Sequence, residues 1–195
     1  RKINNWDAKE WIEKFRIIIV PCVNPDGVEI ALHGPEAAGA LEPFVRTAGE
    51  GKGWQANARG VDLNHNFNAG WQGLRKLERE NGITGPGPTR YGGPVPESEP
   101  ETRAMVRCCR VENFARVLAF HSQGEEIYWE FQGNAPEGSR EMAEKIGDMT
   151  GYRVAQPERL ASAGGFKDWF LKEFGRPGFT LEIGKGKNPI PANQI

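Results

Sequence analysis

Ala115-Arg-Val-Leu-Ala-Phe-His-Ser122 is the stretch that decides how the chain is read: a short apolar run that ends on a histidine. An apolar run of roughly four to eight residues between turn signals reads as a buried strand. His121 then stands at the carboxyl end of that strand, the edge where ligands and catalytic groups gather in open α/β sheets. Downstream, Gly178-Phe-Thr-Leu-Glu-Ile183 reads as a second strand with Glu182 near its end. Between the two strands, residues 139 to 150 have a helical pattern closed by Gly151 at the C′ position, and residues 164 to 174 have another, followed by Gly175. Upstream, Ser98-Glu-Pro-Glu101 is a helix start, with Ser at the N-cap, Pro in the first turn and Glu placed for a capping box. Met105, Cys108, Cys109 and Glu112 mark one face of that helix, which ends near Asn113. Strands alternating with helices predict an α/β sheet with helices packed on its faces.

Nearer the start, Trp11, Ile12 and Phe15 have helical spacing, and Arg16-Ile-Ile-Ile-Val-Pro-Cys-Val23 is expected to be a further buried strand. Asn24-Pro-Asp-Gly27 would end it in a type I turn. From His33 to about Tyr91 periodicity is weak and Gly and Pro are frequent, so long functional loops are expected there.

Bulk properties narrow the function. At 195 residues one domain with a substantial core is expected. With 25 basic and 26 acidic side chains there is no global field to attract nucleic acid or an anionic membrane, so small or neutral partners fit better. No apolar run approaches the length of a membrane span, and residues 1 to 7 have no signal-peptide core. Neither feature fixes a cellular location. Cys22, Cys108 and Cys109 are odd in number, so reduced, buried thiols are expected; Cys108 and Cys109 lack the CxxC spacing of a metal site.

The chemistry-bearing residues are His121, Glu182 and the polar loop Arg59-Gly-Val-Asp-Leu-Asn-His-Asn66. A histidine and a carboxylate at strand ends suit a metal site, an acid/base pair or a salt link, and spacing alone does not choose. Six islands in register add to this: Asn24-Pro-Asp-Gly27; Gly60-Val-Asp-Leu-Asn-His-Asn-Phe67; Tyr91-Gly-Gly93 ahead of Ser98-Glu-Pro-Glu101; Ala119-Phe-His-Ser122; Ser162-Ala-Gly-Gly165 with Asp168-Trp169; and Phe179-Thr-Leu-Glu182. Together they resemble the zinc carboxypeptidase family. The resemblance implies a mixed parallel/antiparallel sheet with helices on both faces. It also implies zinc, with His121 as one ligand and the other two from an HxxE motif, and a metal that activates water at an open coordination position. Glu182 stands where the family's general base stands. His33-x-x-Glu36 matches HxxE by letter but follows Asn24-Pro-Asp-Gly27 and contains Pro35, so it is not expected to ligate. The chain is therefore expected to be a single domain, 1–195, without the segment carrying the first two ligands and without the family's last helix.

Substrate recognition departs from the family's exopeptidases. Their Asn-Arg pair, which grips a terminal carboxylate, is Asn64-His65 here, and an imidazole cannot reproduce the arginine fork. The arginine that follows a Trp in many relatives is Gln55, which carries no charge, so Arg59 or zinc is expected to stabilise the oxyanion. The covering tyrosine aligns near Leu160, with Tyr128 or Tyr152 as substitutes. His121-Ser-Gln-Gly-Glu-Glu-Ile-Tyr-Trp129 is similar to the branch that cleaves γ-D-glutamyl-diamino acid bonds of cell-wall peptides. Lys167, at a position that often lines the specificity pocket, would meet an acidic group there or stand solvated on its helix. The resemblance thus implies a zinc metallopeptidase acting on a peptide or muropeptide. A non-catalytic peptide-binding module of the same fold and a zinc deacylase or amidohydrolase are the competing readings.

Overall fold

The residues around His121 form a strand because an apolar run finds a partner ladder on one side. The computed structural model describes residues 2–3, 6–157 and 162–194. Among them a short antiparallel pair, β1 (Lys2–Ile3) and β2 (Trp6–Asp7), leads into helix α1 (Ala8–Lys14). There follow α2 (Pro25–His33), a 3-10 segment (Pro35–Leu41), α3 (Glu42–Gly49), α4 (Trp71–Glu80) and α5 (Pro100–Glu112). The sheet-bearing part comprises β3 (Val117–His121), β4 (Glu126–Tyr128), α6 (Ser139–Thr150), β5 (Arg153–Val154), α7 (Phe166–Phe174) and β6 (Gly178–Glu182). Strand order is β3-β6-β4-β5, parallel for β3/β6 and β4/β5 and antiparallel for β6/β4. This is the expected mixed sheet.

Period-two alternation sorts the side chains onto two faces. Val117, Ala119 and His121 share one face with Gly178, Thr180 and Glu182, their register partners on β6. Helix α7 packs on that face, where Phe170 and Trp169 join Val117, Phe67 and, from α5, Val106 and Cys109 in a common core. Burying side chains of this size contributes roughly 1.5–3 kcal/mol each. On the opposite face Ile127, Phe179 and Leu181 pack against Ala143 of α6. Helices therefore cover both faces.

Several local expectations give way. Residues 16 to 23 form no strand, and Ile17 and Ile19 are 60% and 79% exposed. A ladder needs an edge to pair with, and this segment lies off the sheet, which ends at β3 among the described residues. Leu118 and Phe120 share the face of Phe179 and Leu181 but stay exposed, because the core beneath α6 gathers side chains of β4 and β6 and none of β3. Asn24-Pro-Asp-Gly27 starts α2 instead of ending a strand: Asn24 Oδ1 accepts from Gly27 N at 3.0 Å and Pro25 occupies the first helical turn. The 33–91 region carries α3 and α4, since Trp71, Leu74, Leu77 and Glu78 repeat at helical spacing through an otherwise polar stretch. At α5 the N-cap is Glu99, not Ser98, and no side-chain cap bond forms there, because Ser98 Oγ instead donates to the Glu99 carboxylate. The cysteines are free; Cys109 is buried, with its thiol pushed up to about 12 chiefly by that burial, but Cys22 is exposed because the segment before it forms no strand.

Candidate active site

The two parallel strands β3 and β6 bring His121 and Glu182 side by side. They are register partners, so their Cα atoms lie one inter-strand spacing apart, about 4.8 Å, with side chains on the same face. The row continues across the sheet. Glu182 is paired with Glu126 on β4, and Glu126 with Arg153 on β5. One layer of four strands therefore presents His121, Glu182, Glu126 and Arg153 in sequence.

Charge and burial in this row are uneven. Burial holds the His121 imidazole below its ordinary value, and the Asp62 carboxylate only partly opposes that. Burial first, and the Glu126 charge second, push the Glu182 carboxyl up to about 7. Lys185 ion-pairs with Glu125 at 2.5 Å, so a simple salt link of Glu182 to that lysine is not formed. Glu126 is anchored twice: Arg153 donates to Oε1, and the Tyr128 hydroxyl donates to Oε2 at 2.7 Å.

The polar loop, whose Asp62 charge acts on His121, is fixed by hydrogen bonds within itself, to residues 90–98 and to α7. Asp62 accepts from Asn64 N at 3.2 Å and from Arg90 N at 2.8 Å. Asn64 Oδ1 accepts from Phe166 N at 3.0 Å, which ties the loop to the first turn of α7. His65 is buried, and its Nδ1 has no hydrogen-bond partner among the described residues. Its carbonyl is clasped by two glycines, since a Cβ at Gly92 or Gly164 would stand 2.5 Å from the oxygen. Asn66 reaches Gly92 O, Val95 O and Ser98 Oγ, which fixes the Tyr91-Gly-Gly93 turn. Behind that turn the buried Glu78 accepts from Gly92 N at 2.6 Å and from Arg75, whose guanidinium lies over the Trp71 and Tyr91 rings.

Other residues singled out in the sequence are placed differently. Arg59 is not free for an oxyanion: Nε and Nη2 both engage Glu99 Oε2, at 2.9 and 2.6 Å, and Asn57 donates to the same oxygen. A buried carboxylate needs those donors, and they hold Glu99 below its usual range despite burial. Gln55 Oε1 accepts from Thr89 Oγ1 at 2.7 Å. Lys167 is not solvated; it is 4% exposed, with Nζ donating to Asp168 and, at 2.5 Å, to Glu130 O. Its stem lies by Gly178, four residues of strand or about 13 Å along the same face from Glu182. His33 faces Glu29 and Glu36 pairs with Arg46, so His33-x-x-Glu36 does not converge. Tyr152 packs in the α6 core, and Leu160 lies outside the described residues. Sequence reasoning missed Asp62, Glu126 and Arg153 as members of the site. Asp62 lay within the quoted loop, whereas Glu126 and Arg153 need the strand register to be seen.

A family model described as zinc carboxypeptidase matches residues 3–195. The chain belongs to the zinc carboxypeptidase family. It is 43% identical over 181 residues, 91% of its length and 44% of the relative's, to gamma-D-glutamyl-L-diamino acid endopeptidase 1 of Lysinibacillus sphaericus. It is 37% identical, over 91% of its length and 47% of the relative's, to an uncharacterized protein, YqgT, of Bacillus subtilis (strain 168). The chain thus spans about half the length of these curated relatives. Among solved structures its fold resembles murein-tripeptide amidase from Escherichia coli O157, with a TM-score of 0.53 and 24% identity over 88% of this chain and 58% of that one. It also resembles carboxypeptidase A from Helicoverpa armigera, with a TM-score of 0.58 and 20% identity over 90% and 44%.

The zinc of zinc carboxypeptidases can be tested against the donors at hand. His121 suits a metal ligand, because it sits at the strand end and burial favours the neutral imidazole that metals bind. It is one donor. Among the described residues no group of three or more His, Cys, Asp or Glu converges on a point, whereas a catalytic zinc takes three protein donors. None of the described helices is long and apolar enough to cross a membrane.

Proposed function

We propose that this chain is part of a zinc metallopeptidase that hydrolyses γ-D-glutamyl-diamino acid bonds of bacterial cell-wall peptides, with Glu182 as the general base and His121 as one zinc ligand. The observation that carries it is the register pairing of His121 with Glu182 on one sheet face. Zinc, when bound, supplies Lewis acidity that polarises the scissile carbonyl. Glu182 takes a proton from the attacking water and returns it to the departing amine. Asn64 offers its amide nitrogen from the loop tied to α7. Beside it His65 replaces a charged fork, so a free α-carboxylate loses a bidentate partner worth roughly 1.5–3 kcal/mol for a bond to a charged group. Gln55, Arg59 and Lys167 are each already partnered within the chain, to Thr89, Glu99 and Asp168, and so are not assigned to the peptide's charge.

A direct comparison tests the assignment. The complete zinc-loaded enzyme of which this chain is part should show a higher kcat/KM on a γ-D-glutamyl-diaminopimelate peptide than on a blocked dipeptide with a free C-terminus. A dipeptide that is cleaved faster would remove the cell-wall specificity.

A further inference from the structure

The row across the sheet does not stop at the base. Glu126 is the next residue on the same face, one strand over from Glu182, and in an antiparallel pair the two Cα atoms lie about 4.5–5.5 Å apart. The side chain is largely sheltered, 19% exposed, and is held from two sides by Arg153 and the Tyr128 hydroxyl. A carboxylate has about four lone-pair sites and these bonds occupy one on each oxygen, so it retains acceptor capacity towards the open side. With Glu182 alongside and one arginine behind, the local charge favours a further cation.

The position relative to the reaction names that cation. Glu182 hands a proton to the leaving amine, so the leaving residue lies against it, and a side chain extending along the row reaches Glu126. A diamino acid carries a second ammonium on a flexible stem of about four carbons, enough to cross one inter-strand spacing. We propose that Glu126, positioned by Arg153 and Tyr128, is the carboxylate that receives the side-chain ammonium of the leaving diamino acid. The inference rests on the cell-wall reading above.

The test compares two γ-D-glutamyl peptides that differ only in that ammonium, one with L-lysine after the glutamate and one with L-norleucine, on the complete zinc-loaded enzyme of which this chain is part. The wild type should prefer lysine by roughly tenfold to a hundredfold in kcat/KM, the range of one charge-assisted hydrogen bond. Glu126→Gln should bring the ratio close to one. Any change that Glu126→Gln makes to the proton transfer of Glu182 acts on both peptides and cancels. A third arm, with diaminopimelate in place of lysine, reports whether the second carboxylate of that residue reaches Arg153, in which case Arg153→Gln lowers its rate more than that of the lysine peptide. A wild-type ratio near one would overturn the proposal even if the variant failed to fold, as would a ratio unchanged in Glu126→Gln. If the free dipeptide outperformed every γ-glutamyl peptide, the cell-wall reading itself would fail and this subsite with it; cleavage of both γ-glutamyl peptides at equal rates would remove the subsite alone.

Discussion

At the residue scale the decisive feature is a carboxyl that the fold keeps partly protonated. Glu182 sits at a strand end beside a second carboxylate and away from water, and its pKa rises from 4.5 in the free state to about 7. Folding therefore favours the neutral acid. Its contribution to stability is full below about pH 4.5 and is lost as the pH rises through about 7. In the zinc-free chain the thermal midpoint of the wild type should consequently fall relative to Glu182→Gln between pH 4.5 and 8, as measured by scanning calorimetry. A gap that stays constant, or that closes in the other direction, would show that Glu182 is solvated. The residues themselves were legible beforehand: His121 and Glu182 ended strands in the sequence and do so in the structure. Arg59 and Lys167 were not, because an isolated Arg or Lys gives no sign of whether a buried carboxylate such as Glu99 or Asp168 already holds it.

At the scale of elements, the site depends on a loop that has little regular structure. The Asn64-His65 turn is fixed by Asp62, by the first turn of α7 and by close backbone approach at Gly92 and Gly164. Gly164 has φ +76 and leaves no room for a Cβ, so Gly164→Ala meets both a left-handed backbone and the His65 carbonyl. It should destabilise the protein by about 1–3 kcal/mol in urea unfolding, with m unchanged; a loss below about 0.5 kcal/mol, the ordinary surface range, would mean the loop yields freely. Helices α5, α6 and α7 and strands β3 and β6 were readable from caps and periodicity, within two residues at each end. Helix α4 was not, since its three apolar positions stand among seven polar residues or glycine. The apolar run at 16–23 looked like a strand because composition records the wish for burial and not the presence of an edge to pair with.

For the molecule as a whole, the register of four strands turns scattered letters into a site. Neighbours in the row His121, Glu182, Glu126 and Arg153 lie 61, 56 and 27 positions apart in sequence, yet they form one continuous row. Periodicity could suggest which residues share a face along one strand, but not which strands adjoin; the order β3-β6-β4-β5 is a property of the packed sheet. That order sets Glu182 between His121 on one side and a second carboxylate, Glu126, on the other. The most direct measurement is kcat for Glu182→Gln in the complete zinc-loaded enzyme of which this chain is part, with zinc content and circular dichroism recorded on the same sample. Glutamine keeps the size and can hydrogen-bond, but it cannot take a proton from water, so fold and metal should be retained while kcat falls by roughly 10² or more. A variant that kept more than about a tenth of the wild-type kcat would place the general base elsewhere and contradict the account.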